Sequence, residues 1–297
     1  MRHLHLYRCI ADVARRGSVR KAAEHLHLTP SALTRKIQDF EEELGTAIFE
    51  RLPQGMRLTD AGELLLRHIQ NQGADFELLL TKISDLEGVR RGHVSLASAQ
   101  AFVDSVLPEE IATFRLDHPK VSFSVEGRDN LLGISALVNY EADLALLIDP
   151  PPAAELYELI VKKQPLCAVV SKDHPLAASE AIRLRECCDY RVAMPSQSLA
   201  IRSHLNEALV KRQLGFDVAV ESDSLEFLRN FVIRESAITF LPLSSIPRTD
   251  DRIRALPISP LDLEPLRVVL AQLKGRTLST AARKFAEQLM SHLADLN

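Results

Sequence analysis

The run Ser18-Val-Arg-Lys-Ala-Ala-Glu-His-Leu-His-Leu-Thr-Pro-Ser-Ala-Leu-Thr-Arg-Lys-Ile-Gln-Asp-Phe-Glu-Glu-Glu-Leu-Gly45 decides the fold at the start of this 297-residue chain. Ser18 is a strong helix N-cap, and a short helix over 19–25 turns Ala22, Ala23 and Leu26 inward. Two adjacent alanines let a neighbouring helix approach closely. After a tight turn ending at Leu28, Thr29-Pro30 starts another helix: threonine caps it, and proline at the first helical position brings a pre-set φ. This helix runs to about Leu44 and stops at Gly45. Leu33, Ile37, Phe40 and Leu44 form its inner face, and Ser31, Ala32, Thr34, Arg35 and Gln38 its outer one. Upstream, Leu4, Tyr7, Ile10, Ala11 and Ala14 recur at helical spacing, so a first helix precedes and ends at Gly17.

Two helices in small-residue contact across a short turn make a helix-turn-helix, whose later helix enters the DNA major groove N-terminus first. Small Ser31 and Ala32 allow close approach to base edges. Thr34, Arg35 and Gln38 have the donors and acceptors to read them, and the helix starts at Ser18, Thr29 and Pro30 complete the candidate set. Beyond Gly45, two short extended pieces around Pro53-Gln54-Gly55 read as a hairpin wing, with Arg51 and Arg57 flanking its tip for phosphate contact. Charge agrees. Residues 1–40 hold eight Lys/Arg against three acids, a surplus of five, so the other 257 residues carry −9 of the total of −4. A basic head on an acidic body fits a protein that touches phosphate with its head only.

The Ser18–Gly45 run, followed by Ile48-Phe49-Glu50-Arg51 and Leu58-Thr59-Asp60-Ala61-Gly62, resembles the N-terminal signature of LysR-type transcriptional regulators. Two small departures are Thr34, where the family usually has serine, and Phe40-Glu41 in place of Leu-Glu. The resemblance implies a transcription regulator that binds double-stranded promoter DNA.

Thr59 caps a further helix that continues to about Glu87, roughly 40 Å long at about 1.5 Å per residue. Leu65, Ile69, Gln72, Phe76, Leu79, Ile83 and Leu86 step by four and three, a heptad seam that implies a partner helix. Its dimerisation set is Leu65, Ile69, Phe76, Leu79 and Ile83. The alternative is a helix packed on its own chain. The family resemblance implies paired linker helices and a homodimer or homotetramer. Residues 88–92 read as a hinge.

From residue 93, apolar runs alternate with helical stretches. Strands are expected at 93–99, 121–126, 143–148, 166–170, 190–193, 218–221, 237–241 and 267–272, and helices at 108–117, 131–139, near 182–187, 199–213, 225–234 and 279–296. That alternation gives parallel sheets covered by helices. The whole chain is thus an α/β protein. A winged helix-turn-helix occupies 1–58, a linker helix 59–88 and two Rossmann-like lobes 89–297. Lobe I takes about 93–161 plus 267–297, and lobe II about 162–266.

Ligands of such folds sit beyond the carboxyl ends of strands. Those ends are Ser98-Ala99-Gln100-Ala101, Gly127-Arg128-Asp129-Asn130, Ile148-Asp149, Pro195-Ser196-Gln197-Ser198 and Asp223-Ser224. The body resembles the family's effector-binding domain, itself similar to periplasmic binding proteins, through phrases such as Asp117-His-Pro and Glu141-Ala-Asp-Leu-Ala-Leu. That resemblance implies a small-molecule effector touching Ser98 and Gln100 first, then Ser196, Gln197 and Ser198. Arg128 either pairs with an anionic effector or is a solvated loop residue. Arg202 reads as scaffold.

No apolar run approaches the ~18 residues of a membrane span, and the start has no secretory leader, so a cytoplasmic protein is expected. The four cysteines are too scattered for a zinc site or disulfide framework; no metal, cofactor or catalytic motif stands out, and an enzyme reading finds no support. RNA polymerase is a further candidate partner. Two rivals are a redox-sensing regulator using the vicinal Cys187-Cys188 pair and a solute-binding protein, which leaves the basic head unexplained.

Overall fold

A computed structural model describes residues 2–52, 55–86, 92–246 and 250–295. They fall into two compact units, 1–80 and 81–297, each taken by itself below. The Pro53-Gln54 wing tip, residues 88–91 of the expected hinge and the side chain of Leu86 lie outside the described set.

In the first unit α1 (Arg2–Arg16), α2 (Val19–His25) and α3 (Pro30–Leu44) precede the hairpin β1 (Phe49–Leu52) and β2 (Gly55–Leu58), and α4 (Asp60–Leu86) follows. Ser18 Oγ accepts the Lys21 N–H at 3.4 Å, and Thr29 Oγ1 accepts that of Ala32 at 3.2 Å, so both expected caps form. Gly45 closes α3 at φ 74°, a left-handed value that glycine adopts without a Cβ clash. Cys9, Ile10, Val13, Ala22, Ala23, Leu33, Ile37, Ile48 and Phe49 form the core. Leu44, expected inward, is exposed because the last turn of α3 runs past that core.

The head is locked by short polar ties. Glu41 Oε1 accepts the Ile48 and Phe49 N–H groups at 2.7 and 3.0 Å, joining α3 to β1. Thr59 Oγ1 donates to the Ala47 carbonyl and accepts the Gly62 N–H, so it caps α4 while holding the wing. A Cβ at Gly62 would lie 2.1 Å from the Ile48 carbonyl oxygen; only glycine permits that approach. The heptad expectation divides here. Leu65 and Ile69 pack on the head's own core, which corrects their assignment to a dimer seam. Phe76, Leu79 and Ile83 are 44%, 50% and 45% exposed and keep the heptad spacing.

In the second unit the strands and helices are β3 (Gly92–Ser98), α5 (Gln100–Val103), α6 (Val106–Asp117), β4 (Val121–Gly127), α7 (Asn130–Val138), β5 (Leu144–Ile148), β6 (Leu156–Gln164), β7 (Leu166–Ser171), α8 (Leu184–Cys187), β8 (Arg191–Pro195), α9 (Ala200–Arg212), β9 (Asp217–Ser222), α10 (Leu225–Arg234), β10 (Ala237–Pro242), β11 (Ile253–Pro257), β12 (Leu266–Leu273) and α11 (Thr280–Asp295). Two five-stranded sheets result, ordered β4-β3-β5-β12-β6 and β11-β7-β10-β8-β9. The expectation of parallel sheets is corrected: β12 runs antiparallel to β5 and β6, and β7 antiparallel to β10 and β11. The two strands that sequence reading missed, β6 and β11, are sheet edges. Half-exposed and carrying Lys162, Lys163 and Arg254, they lack the apolar run of a two-faced strand.

Central β5 shows that run. Leu144, Leu146 and Ile148 face one core while Ala145 and Leu147 face another under α7, so the whole strand is buried. Phe114, Phe123 and Phe285 meet edge-to-face, with centroids 4.8–5.7 Å apart, and fix α6 and α11 on the first sheet.

Candidate functional site

Two surfaces carry the candidate residues. On the head, α3 begins at Thr29-Pro30 and leaves Ser31, Arg35 and Gln38 exposed, with Ala32 and Thr34 half-buried beside them. Burial of Leu33 and Ile37 fixes which face turns outward. The Arg35 side chain is 84% exposed and lies 4.0 Å from Asp39, a contact too solvated to hold it. Arg51 and Arg57 are exposed on the wing, and Arg57 pairs with Glu50. Ser18 is engaged as the cap of α2.

Sequence reading missed the head's buried carboxylate. Asp12 is 2% exposed and binds Arg15, Arg16 at 2.9 Å and His25 at 3.1 Å, tying α1 to α2. Burial alone raises its pKa, but the hydrogen bonds from Arg15 and Arg16 outweigh this and hold the carboxyl below its ordinary value. The signal was present as one acid among basic residues at i+3 and i+4, which reads equally well as a surface pair.

On the body, strand ends from both sheets converge on a cleft of about 390 Å³. Gln100, Arg128 and Ser198 line it, as do Ala99, Gly127, Asp129, Asn130, Leu199, Ala200, Asp223 and Ser224. Ser98 does not: it is fully buried, and its hydroxyl donates to the Ala99 carbonyl at 3.1 Å. Ser196 and Gln197 also lie outside the lining; Ser196 Oγ meets Ser198 Oγ at 2.7 Å, and Gln197 Oε1 accepts from Asn206. Leu199 and Ala200 are reached only because α9 starts against the cleft, which no strand-end rule marks. Its N-cap Leu199 makes no side-chain capping bond, whereas Asp129 caps α7 and Ser224 caps α10.

Arg128 is neither solvated nor free. Its Nε and Nη2 donate to Glu126, and Glu141 lies 3.6 Å away. The bonded Glu126 and the nearby Glu141 carboxylates drive its pKa further up. Arg202 is 11% exposed and donates to the Pro195 carbonyl at 2.6 Å and to Glu221 at 3.1 Å, bracing the ends of β8 and β9 as scaffold.

The cysteines do not support the redox rival. Burial pushes the Cys167 and Cys187 thiols up to about 12 and raises those of Cys9 and Cys188, whereas oxidation chemistry requires thiolate. Cys187 and Cys188 donate separately to the carbonyls of Arg183 and Leu184.

Two family models match the chain. One, described as a bacterial regulatory helix-turn-helix protein of the lysR family, covers residues 4–63; the other, a LysR substrate binding domain, covers 87–294. The HTH-type transcriptional activator CmpR of Synechocystis is 28% identical over 97% of this chain and 95% of its own. A full-length OxyR variant from Pseudomonas aeruginosa superposes with a TM-score of 0.65 at 20% identity, covering 98% of this chain and 93% of that one. CbnR, solved with its target DNA, gives 0.61 at 16% identity over 97% and 99% of the two chains.

Proposed function

This chain belongs to the LysR family of transcriptional regulators, and from that premise we propose how its own residues perform the regulation. Ser31, Ala32, Thr34, Arg35 and Gln38 read base edges in a promoter major groove, Ser18, Thr29 and Pro30 position the two helix starts against the backbone, and Arg51 and Arg57 hold flanking phosphates. The supporting observation is the outward face of α3, which exposes Arg35 and Gln38 while its opposite face is buried in the head.

Phe76, Leu79 and Ile83 pair α4 with the same helix of a second chain, because three exposed apolar residues at heptad spacing gain by covering one another. Two heads then address two half-sites, as a homodimer or, with a second dimer, a homotetramer. A small effector enters the cleft at Gln100, Arg128 and Ser198. Its differential affinity for two body arrangements shifts the balance between them, and the change reaches DNA or RNA polymerase through the linker. The protein acts where the promoter is, in the cytoplasm, without catalysis of its own.

Sedimentation combined with DNase footprinting on its promoter tests this. The wild-type chain is expected to protect two half-sites as a dimer or larger. Leu79→Glu is expected to give a monomer with half-site protection at best, and a full footprint from that monomer overturns the pairing.

A further inference from the structure

The cleft's charge balance is lopsided. Arg128, the one cation among the described lining residues, donates through Nε and Nη2 to Glu126, with Glu141 beside it, and keeps Nη1 free of bonds among the described residues. The cleft's side-chain amides are partly committed. Asn130 Nδ2 faces the carbonyls of Ile148 and Asp149 at 2.7 and 3.2 Å, which fixes the amide orientation and leaves Oδ1 toward other partners. Gln100 Nε2 donates to Asp104 at 2.9 Å. Two carboxylates line the cleft from opposite lobes. Both are exposed at the rim; Asp129 caps α7, and Asp223 makes neither an ion pair nor a hydrogen bond among the described residues. Against the one guanidinium stand four carboxylates, Asp129, Asp223, Glu126 and Glu141, so the charge at the cleft is net negative.

We infer that this cleft selects an effector carrying a cationic nitrogen, an ammonium or guanidinium met by Asp223, over an anionic one. The inference rests on reading the cleft as the effector site. An ammonium has donors only, which is the complement of Asp223 and Asn130 Oδ1. A carboxylate would meet an Arg128 whose charge Glu126 and Glu141 already balance, while facing Asp129 and Asp223. The expectation of an anionic effector at Arg128 took that arginine as unpaired; its bonded partner Glu126 lies two residues back, and Glu141 thirteen further along the chain.

The test is a thermal-shift and calorimetric comparison on the full-length protein, with putrescine, agmatine and the basic amino acids as cationic probes and succinate and benzoate as anionic ones. A probe that binds only the folded state raises its melting temperature. Cationic probes are expected to stabilise the wild type, and Asp223→Asn to weaken the best of them at least tenfold without moving the probe-free melting temperature. Glu126→Gln combined with Glu141→Gln frees Arg128 and is expected to bring succinate into range. Stabilisation by anions alone, lost in Arg128→Met, overturns the charge preference and leaves the effector cleft standing. Cationic binding unchanged in Asp223→Asn overturns the inference. No binding of either class, in the wild type or in the freed-Arg128 variant, overturns both it and the cleft reading.

Discussion

Arg35 in the head and Arg128 in the body are both arginines that the sequence places on a recognition surface, and they end in opposite circumstances. Arg35 projects from α3 with Asp39 4.0 Å away and 84% of its side chain exposed. Arg128 is 29% exposed and held by Glu126 and Glu141. The difference comes from how each surface is built. One helix makes the head's surface, so the fate of each side chain follows from its position around that helix. Loops from two sheets make the cleft, and there Arg128 meets one acid two residues back, Glu126, and another thirteen residues on, Glu141. A guanidinium already bonded to a carboxylate of its own protein is less available to a ligand than a solvated one.

The largest expected effect separates these two arginines. A side chain bonded to a base edge contributes about 1–3 kcal/mol, so Arg35→Ala is expected to weaken operator binding by roughly tenfold to a hundredfold, with the melting temperature unchanged. Arg128→Ala is expected to leave DNA affinity alone and lower stability by less than about 1 kcal/mol, because its partners are largely solvated. Fluorescence anisotropy on labelled operator, with a melting curve for each variant, checks both. Equal loss of DNA affinity in the two would erase the distinction.

The same contrast explains what could be read from the chain beforehand. In the head every signal is local: Thr29 and Ser18 cap, Gly45 terminates, and Leu33 and Ile37 fall at helical spacing, so α2 and α3 follow residue for residue. In the body the strand ends were legible, and Gln100, Arg128 and Ser198 do reach the cleft. Edge strands β6 and β11 were not legible, since one solvated face dilutes the apolar pattern. Nor was the inward turn of Ser98, which depends on β3 lying between β4 and β5 in the sheet. The heptad in α4 misled for a related reason. An apolar stripe shows that something covers it, and for Leu65 and Ile69 that is the head itself.

A smaller effect sets buried charge in the head against the body's aliphatic cores. Asp12 has its folded pKa lowered, so its contribution is complete above the unfolded carboxylate range near about 4 and is lost as pH falls through the folded value. Asp12→Asn keeps the shape and removes the charge. At neutral pH it is expected to cost about 1–3 kcal/mol, as for a hydrogen bond to a charged group, and the deficit should shrink as pH drops below about 4 and vanish below the lowered folded value. Asp262, bonded to Arg183 at 2.7 Å and lowered by that bond, gives the body an acid limb of the same sign. Urea unfolding followed by helix signal across pH measures it; a deficit that persists undiminished at low pH would show that packing, not charge, is what Asp12 supplies.

The smallest expected effect concerns Cys188, where head and body should not differ at all. It is the least buried of the four cysteines, yet its thiol is raised above the ordinary value, with burial the main cause, and donates to the Leu184 carbonyl at 3.7 Å. Serine can make the same bond from the same position, so Cys188→Ser is expected to change stability by no more than about 0.5 kcal/mol. A thiol so held is poorly supplied with thiolate, so brief peroxide treatment should leave operator binding the same in wild type and variant. A peroxide response present in the wild type and absent in Cys188→Ser would reverse this, and would make the body's regulation a matter of oxidation rather than of what enters the cleft.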